Sequence, residues 1–192
     1  IFNFPFTPTI EQNICIRNIS DYIIKFDNKT IFLLKGYAGT GKTTLISSLI
    51  KSLPVIRKRA VLMAPTGRSA KVLSKYSKKS ASTIHKKIYW ITTNKNGNTF
   101  IKLKENTHSN TIFIVDEASM IPENYDKGFG NRSLLDDLIK YVYEGIDCKL
   151  ILIGDTAQLP PVHLDVSPAL DERKLEINYN KKIICNELTK VV

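Results

Sequence analysis

Cysteine, tryptophan and acidic charge are the scarce commodities of this chain. The three cysteines, Cys15, Cys148 and Cys185, are scattered and odd in number, with no C-x-x-C spacing. Neither a disulfide framework nor a zinc ribbon is therefore indicated. They read as reduced, mostly buried thiols, which places the protein in the cytoplasm. No apolar run approaches the ~20 residues that a membrane span needs, and no secretory leader is visible. Internal repeats and low-complexity tracts are missing too. Acids are the minority charge: 18 Asp+Glu stand against 28 Lys+Arg, a net charge of +10. Such a surplus points to a polyanionic partner, nucleic acid first, or else to a merely basic soluble surface.

What is present suits one α/β domain. The chain has 192 residues, 43% of them hydrophobic, enough for a sizeable core. Its organising stretch is Gly36-Tyr37-Ala38-Gly39-Thr40-Gly41-Lys42-Thr43, which fits the pattern G-x-x-x-x-G-K-[ST]. The β-rich run Thr30 to Leu34 precedes it, and a helical pattern of Leu45, Ile46, Leu49, Ile50 and Leu53 follows. A strand, a glycine-rich loop and a helix N-terminus in that order converge backbone N–H groups on an anion. Phosphates are expected at Gly39, Thr40, Gly41, Lys42, Thr43 and Thr44. Lys42 reaches the outer phosphates, and the Thr43 hydroxyl ligates Mg²⁺.

Further segments fall into the same rhythm. Thr7, with Pro8 behind it, reads as the N-cap of a first helix that buries Ile10, Ile14, Cys15, Ile19, Tyr22, Ile23 and Phe26. Gln12 lies in its first turns. By position it is an ordinary solvated glutamine, although an amide there could also bond both N6–H and N7 of adenine. Buried strands are expected near 31–34, 60–64, 111–115, 149–153 and 183–188. In open α/β sheets ligands sit beyond the carboxyl ends of strands. That puts Thr66 and Arg68, after the second strand, either on the functional edge or in plain turn and cap chemistry. The strand 111–115 ends in Asp116-Glu117. Downstream of a phosphate loop, Asp116 can hold Mg²⁺ and Glu117 can orient and deprotonate a water. Gln158 follows the strand 149–153 on the same edge. Two β-rich runs, 88–93 and 99–103, flank Asn94-Lys95-Asn96-Gly97-Asn98 and predict a hairpin inserted into the βα order. It carries the single tryptophan, Trp90, which either packs against the domain, as large aromatics mostly do, or stands exposed and can stack on a base.

Taken together, these segments resemble the first RecA-like domain of a superfamily 1 DNA helicase of the RecD-like and Dda-like 5′-to-3′ type. The resemblance runs from residue 6 almost to the end. It rests on Phe6-Thr7-Pro8 to Gln12 (Q motif), Gly36 to Thr43 (motif I) and Ala64-Pro65-Thr66-Gly67-Arg68-Ser69-Ala70 (motif Ia). Ala81-Ser82-Thr83-Ile84-His85 matches motif Ib, Val115 to Met120 motif II, and Ile153 to Pro161 motif III. It implies a RecA-like P-loop NTPase fold: a parallel β-sheet with helices on both faces and an inserted β-hairpin. It also implies ATP and Mg²⁺ as ligands, Gln12 as adenine reader and Gln158 as γ-phosphate sensor. Pro65, Thr66, Arg68, Thr83 and His85 become contacts to single-stranded DNA, and the hairpin with Trp90 the pin that splits a duplex.

The family continues past this point with an arginine on the γ-phosphate and a second RecA-like domain that closes over the nucleotide. The chain, starting at Ile1 and stopping at Val192, is expected to be the motor half of a monomeric helicase, nearly inactive by itself. Two other functions use the same residues: a small-molecule kinase on the phosphate loop, and a nucleic-acid-binding module with an inactive nucleotide site. Intact Lys42, Thr43, Asp116 and Glu117 argue against the last.

Overall fold

The computed structural model describes residues 4–93, 99–122, 133–155, 157 and 167–192. Helix α1 (Ile10–Ile24) leads into β1 (Thr30–Gly36) and α2 (Lys42–Ser52); β2 (Arg59–Ala64) leads into α3 (Gly67–Ser77). Then come β3 (Ala81–Thr83), α4 (Ile84–Ile88), the hairpin strands β4 (Tyr89–Thr93) and β5 (Thr99–Leu103), and β6 (Ser109–Val115). The rest is α5 (Leu134–Glu144), β7 (Ile146–Gly154), α6 (Glu172–Tyr179) and β8 (Lys182–Leu188). Six strands form one sheet in the order β3-β2-β6-β7-β1-β8, every neighbouring pair parallel, and β4 and β5 form a separate antiparallel ribbon.

Alternation along the strands explains why both faces of the sheet are covered. Ile31, Leu33, Phe113, Val115, Leu150 and Leu152 enter one buried cluster, together with α4, α5 and Leu175 of α6. Their neighbours Phe32, Leu34, Ile112, Ile114, Ile151 and Ile153 enter a second cluster, with α1, α2 and Leu73 of α3. Successive side chains of a strand point to opposite faces, so strands apolar at every position can lie only between two layers. The expected α/β fold, with helices on both faces, is what these residues build.

Four local expectations are corrected. The first helix is capped by Thr9, not Thr7: Thr9 Oγ1 accepts from Gln12 N, and Gln12 Oε1 accepts from Thr9 N. This reciprocal capping box satisfies two otherwise orphan donors, which a Thr7 cap with Pro8 behind it cannot match. The buried face of α1 is Gln12, Cys15, Ile19, Tyr22 and Ile23, while Ile10, Ile14 and Phe26 are exposed. A sixth strand, β3, extends the sheet by pairing Leu62↔Ala81, Met63↔Ser82 and Ala64↔Thr83; three residues are too few to show a period. Trp90 is not buried but 61% exposed, and Phe100 in the facing strand is 58% exposed. The ribbon packs Tyr89, Ile101 and Leu103 onto the core and turns Trp90 and Phe100 outward, where among the described residues no layer covers them.

Candidate nucleotide and nucleic-acid site

Strand β1 delivers the phosphate loop at the carboxyl edge of the sheet. Gly36 ends the strand beside β8, where a Cβ would lie 2.6 Å from the carbonyl oxygen of Leu188. Gly39 and Gly41 have φ of +79° and +87°, the left-handed region that side chains disfavour. Gly41 is the N-cap of α2 and supplies no side-chain cap, so the first-turn amides of that helix remain available to an anion. Thr40 is fully buried, its hydroxyl donating to Tyr37 O at 2.8 Å. Lys42 Nζ donates to Gly36 O at 2.6 Å and Tyr37 O at 2.8 Å. Burial pulls its ammonium below the usual lysine range, while Asp155, Glu117 and Asp116 pull the other way. Lys42, Thr43 and Asp116 line one small hollow with Ile46, Ser47, Leu73 and Ile153.

Gln12 enters this site by a route the sequence pattern did not show. Its Nε2 donates to Thr40 O at 3.0 Å while its Oε1 accepts from Thr9, and only 3% of the residue is exposed. A Cβ on Gly41 would sit 2.5 Å from Gln12 Nε2. The glutamine thus ties the phosphate loop to the capped start of α1, and keeps one N–H and one lone pair for a further partner. The spacing Thr9-x-x-Gln12 was the available signal.

The segment after β8 closes the other flank. Val192 N donates to Gly39 O at 3.0 Å, and the Glu11 carboxylate accepts from Thr189 N, Thr189 Oγ1 and Lys190 N. The Thr189 bonds hold the Glu11 carboxyl below its usual range. A lowered carboxyl pKa contributes stability above the unfolded-state value, and that contribution is lost as pH falls through the folded value. The amides of Thr189 and Lys190 are therefore expected to lose hydrogen-exchange protection in acid before the amides of β8, and to lose it at neutral pH in Glu11→Ala. Equal protection in the variant would mean the carboxylate does not hold this segment.

Strand β6 presents Asp116 and Glu117. The Asp116 amide bonds Met63 O on β2 at 3.0 Å, locking the acid to the neighbouring strand end. Glu117 N donates to Asp116 Oδ1 at 3.0 Å. Burial, and then the charge of Glu117, push the Asp116 carboxyl above its usual range. Glu117 itself has a φ of +56°, a conformation costing a non-glycine residue roughly 1–2 kcal/mol.

The neighbouring strand ends carry the remaining candidates. Thr66 caps α3, accepting from Ser69 N at 3.1 Å, and Thr83 caps α4, accepting from Lys86 N at 3.2 Å. Each is thus a cap at the end of one of two adjacent parallel strands, and a threonine hydroxyl that accepts can still donate. Pro65 and His85 are half-buried, Arg68 is exposed, and the His85 ring lies 5.8 Å from that of Tyr89. Gln158 and the hairpin tip Asn94 to Asn98 lie outside the described residues. Trp90 stands apart on the ribbon.

Comparison with known proteins agrees with this arrangement. The AAA domain family matches residues 21–164. The ATP-dependent DNA helicase Dda of Enterobacteria phage T4 is 35% identical over 132 residues, 67% of this chain and 28% of Dda. The ATP-dependent RecD2 DNA helicase of Deinococcus radiodurans is 30% identical over 132 residues, 69% of this chain and 16% of RecD2. The Pif1 helicase from Bacteroides, solved with ADP-AlF3 and ssDNA, shares the fold with a TM-score of 0.53 at 19% identity, over 97% of this chain and 43% of that one. The chain spans a third or less of the length of the curated relatives it matches. With the loop, the acidic strand end and these relatives together, the chain belongs to the AAA domain family and carries a RecA-like domain similar in sequence to superfamily 1 helicases of the Dda and RecD type.

Proposed function

We propose that this chain binds Mg·ATP and single-stranded DNA and serves as the first motor domain of an ATP-dependent 5′-to-3′ DNA helicase. The observation that carries the reading is the hollow shared by Lys42, Thr43 and Asp116 at the sheet edge, next to the strand ends that bear Thr66 and Thr83. The donor set suits Mg²⁺: a hydroxyl and a carboxylate are hard oxygen ligands on one hollow. Thr43 and Asp116 would hold the ion, which when bound neutralises charge on the phosphates. Lys42 and the amides from Gly39 to Thr44 bind and orient those phosphates. Glu117 positions a water and takes its proton. Gln12 keeps a free N–H and a lone pair for adenine, and Gln158 is the proposed sensor of the γ-phosphate. Pro65, Thr66, Arg68, Thr83 and His85 line the proposed strand track, and the β4–β5 ribbon is the proposed pin.

A second RecA-like domain would complete the site. Gly39 and Thr43 are exposed, and an open site leaves its charges screened by water. In this reading a monomer of two such domains closes over ATP, and residues 1–192 by themselves turn it over slowly.

The test is strand separation and ATP turnover by the full-length protein. A 5′-tailed duplex should be unwound and a 3′-tailed one not, and single-stranded DNA should stimulate hydrolysis. Its affinity should fall with salt, with a log–log slope of about −0.7 per phosphate neutralised. Stimulation by a small phosphate acceptor instead of DNA would mark a kinase.

A further inference from the structure

Away from the nucleotide edge, the carboxyl-terminal ends of α1 and α2 meet in an apolar groove. Ile23 and Ile24 of α1 form one wall. Leu49 of α2, with Leu53 and Ile56 of the 3₁₀ turn that follows it (Leu53–Ile56), forms the other. Ser20 and Ser52 complete the lining. Both serine hydroxyls are committed to their own helices: Ser20 Oγ donates to Ile16 O at 2.7 Å, and Ser52 Oγ to Ser48 O at 2.9 Å. The walls therefore present hydrocarbon. The enclosed space is about 10 Å³, far below the ~300 Å³ of a small-ligand pocket, so an occupant lies over the groove rather than inside it.

The surface around the groove is apolar and cationic at once. Ile24 is 62% exposed, and Val55 and Phe26, which flank the walls in sequence, are 79% and 87% exposed. Large apolar side chains left in water and rimmed by polar groups mark contact sites for other proteins. Residues 20–29 and 48–59 expose Lys25, Lys29, Lys51, Arg57 and Arg59 against one exposed acid, Asp21. Among the described residues none of these five bases forms a salt bridge. Asp27 is already engaged. Its carboxylate accepts from Thr30 Oγ1 and Lys29 N, and those bonds hold it below its usual range. Asp147 is paired with Lys58 at 2.5 Å. So dense a like charge disfavours a second copy of the same surface and selects a negative partner.

We propose that this groove docks an acidic segment of a partner protein, one that sets a large apolar side chain among carboxylates. The apolar side chain covers Ile23, Ile24, Leu53 and Ile56, and the carboxylates meet Lys25, Lys51 and Arg57. A nucleic-acid strand is negative too, but it suits these walls less. Bases are held by hydrogen bonds or by aromatic faces, and the lining is aliphatic with its hydroxyls already used. An anchor ringed by acids matches both the apolar floor and the basic rim. The groove is also remote from the phosphate loop. Gln12 and Lys42 lie near the other ends of the same two helices. At about 1.5 Å per residue, Ile24 and Ser52 lie roughly 15–18 Å further along. Docking therefore leaves the nucleotide site open.

The test selects a random peptide library, displayed on phage, on the full-length protein. Recovered peptides are synthesised with a fluorophore and titrated by anisotropy. They should carry Asp or Glu around a Leu, Ile, Phe or Trp, and bind equally well with and without Mg·ATP. Replacing that apolar residue by alanine should weaken binding roughly thirty-fold, the scale of an interface hot spot. On the protein, Ile24→Gln should weaken it about ten-fold, through lost apolar contact. Lys25→Glu with Arg57→Glu should weaken it by at least about ten-fold, through like-charge repulsion. All three positions are exposed, so thermal melts should stay level, and Lys51→Glu supplies an independent charge reversal. Peptides with Lys in place of their acids should prefer the charge-reversed protein. No enrichment, an enriched class lacking acids or lacking the apolar residue, or unchanged affinity in these variants would overturn the proposal. So would displacement of the peptide by oligo(dT) whose own binding falls in the same variants, because the groove would then serve nucleic acid.

Discussion

Lys42→Ala is expected to abolish measurable Mg·ATP binding. Three carboxylates, Asp155, Glu117 and Asp116, act on the Lys42 ammonium, and Lys42 is the first residue of α2, whose open N-terminal amides it accompanies. Adding a polyphosphate to the hollow brings further negative charge beside Asp116. Without the lysine, Asp116 and the phosphates oppose each other in a half-buried place where the lysine cation no longer compensates them. Truncating one partner of a close, hydrogen-bonded charge pair costs about 2–5 kcal/mol, or roughly 30- to several thousand-fold in affinity. Among the described residues the lysine bonds Gly36 O and Tyr37 O, so the fold should survive its loss, since the loop stays pinned through Thr40 and Gln12. Isothermal calorimetry with Mg·ATP, paired with a thermal melt, separates the two effects. An unchanged affinity would remove the phosphate-loop assignment, and with it the functional reading built on it.

How much of this was legible in the sequence follows from where the physics is local. Strands β1, β6 and β7 each carry an unbroken apolar run, 31–34, 112–115 and 150–153, and a run apolar on successive positions announces a sheet covered on both sides. The phosphate loop is equally local: glycines at the left-handed positions, a lysine and a hydroxyl at fixed offsets. Features set by contacts distant in sequence were less legible. Ile10 and Ile14 have the spacing of a core face, yet the helix turns Gln12, Cys15 and Ile19 inward because Gln12 must reach Thr40, 28 residues away. Strand β3 is three residues long and exists by pairing with β2, so no periodicity could reveal it. Helix α6 buries only Leu175, too little of a stripe to read as a helix. Size suggested that Trp90 would be buried, but it sits on the outward face of a ribbon whose other face, with Tyr89, Ile101 and Leu103, takes the core contact. The candidate contacts at Thr66 and Thr83 were ambiguous between cap and ligand; their hydroxyls cap α3 and α4, and a cap can still donate to a phosphate.

Glu117→Gln is expected to separate binding from chemistry. Glutamine keeps the length and hydrogen-bonding reach of the side chain but cannot accept a proton from water as a carboxylate does. It also removes the charge that helps push the Asp116 carboxyl upward, so Asp116 should ionise more readily and any hold on Mg²⁺ should strengthen. Nucleotide affinity is therefore expected to stay level or rise slightly. Hydrolysis by the full-length protein with saturating single-stranded DNA should fall by about 10²–10⁴, the usual contribution of a positioned general base. The backbone gives a reason to expect the full effect. Glu117 sits at a φ of +56°, with its N–H on Asp116 Oδ1 and its carbonyl accepting from Met120 N at 3.0 Å. A conformation that glycine or asparagine would adopt at lower cost is kept here by an acid, and strained non-glycine residues of this kind cluster at working sites. Asp116→Asn should behave in the opposite way, losing the Mg²⁺ dependence of binding before any change in the chemical step can be measured. If Glu117→Gln hydrolyses ATP within a factor of ten of the wild type while binding it equally well, Glu117 is not the base, and the strained turn at the end of β6 serves some other end.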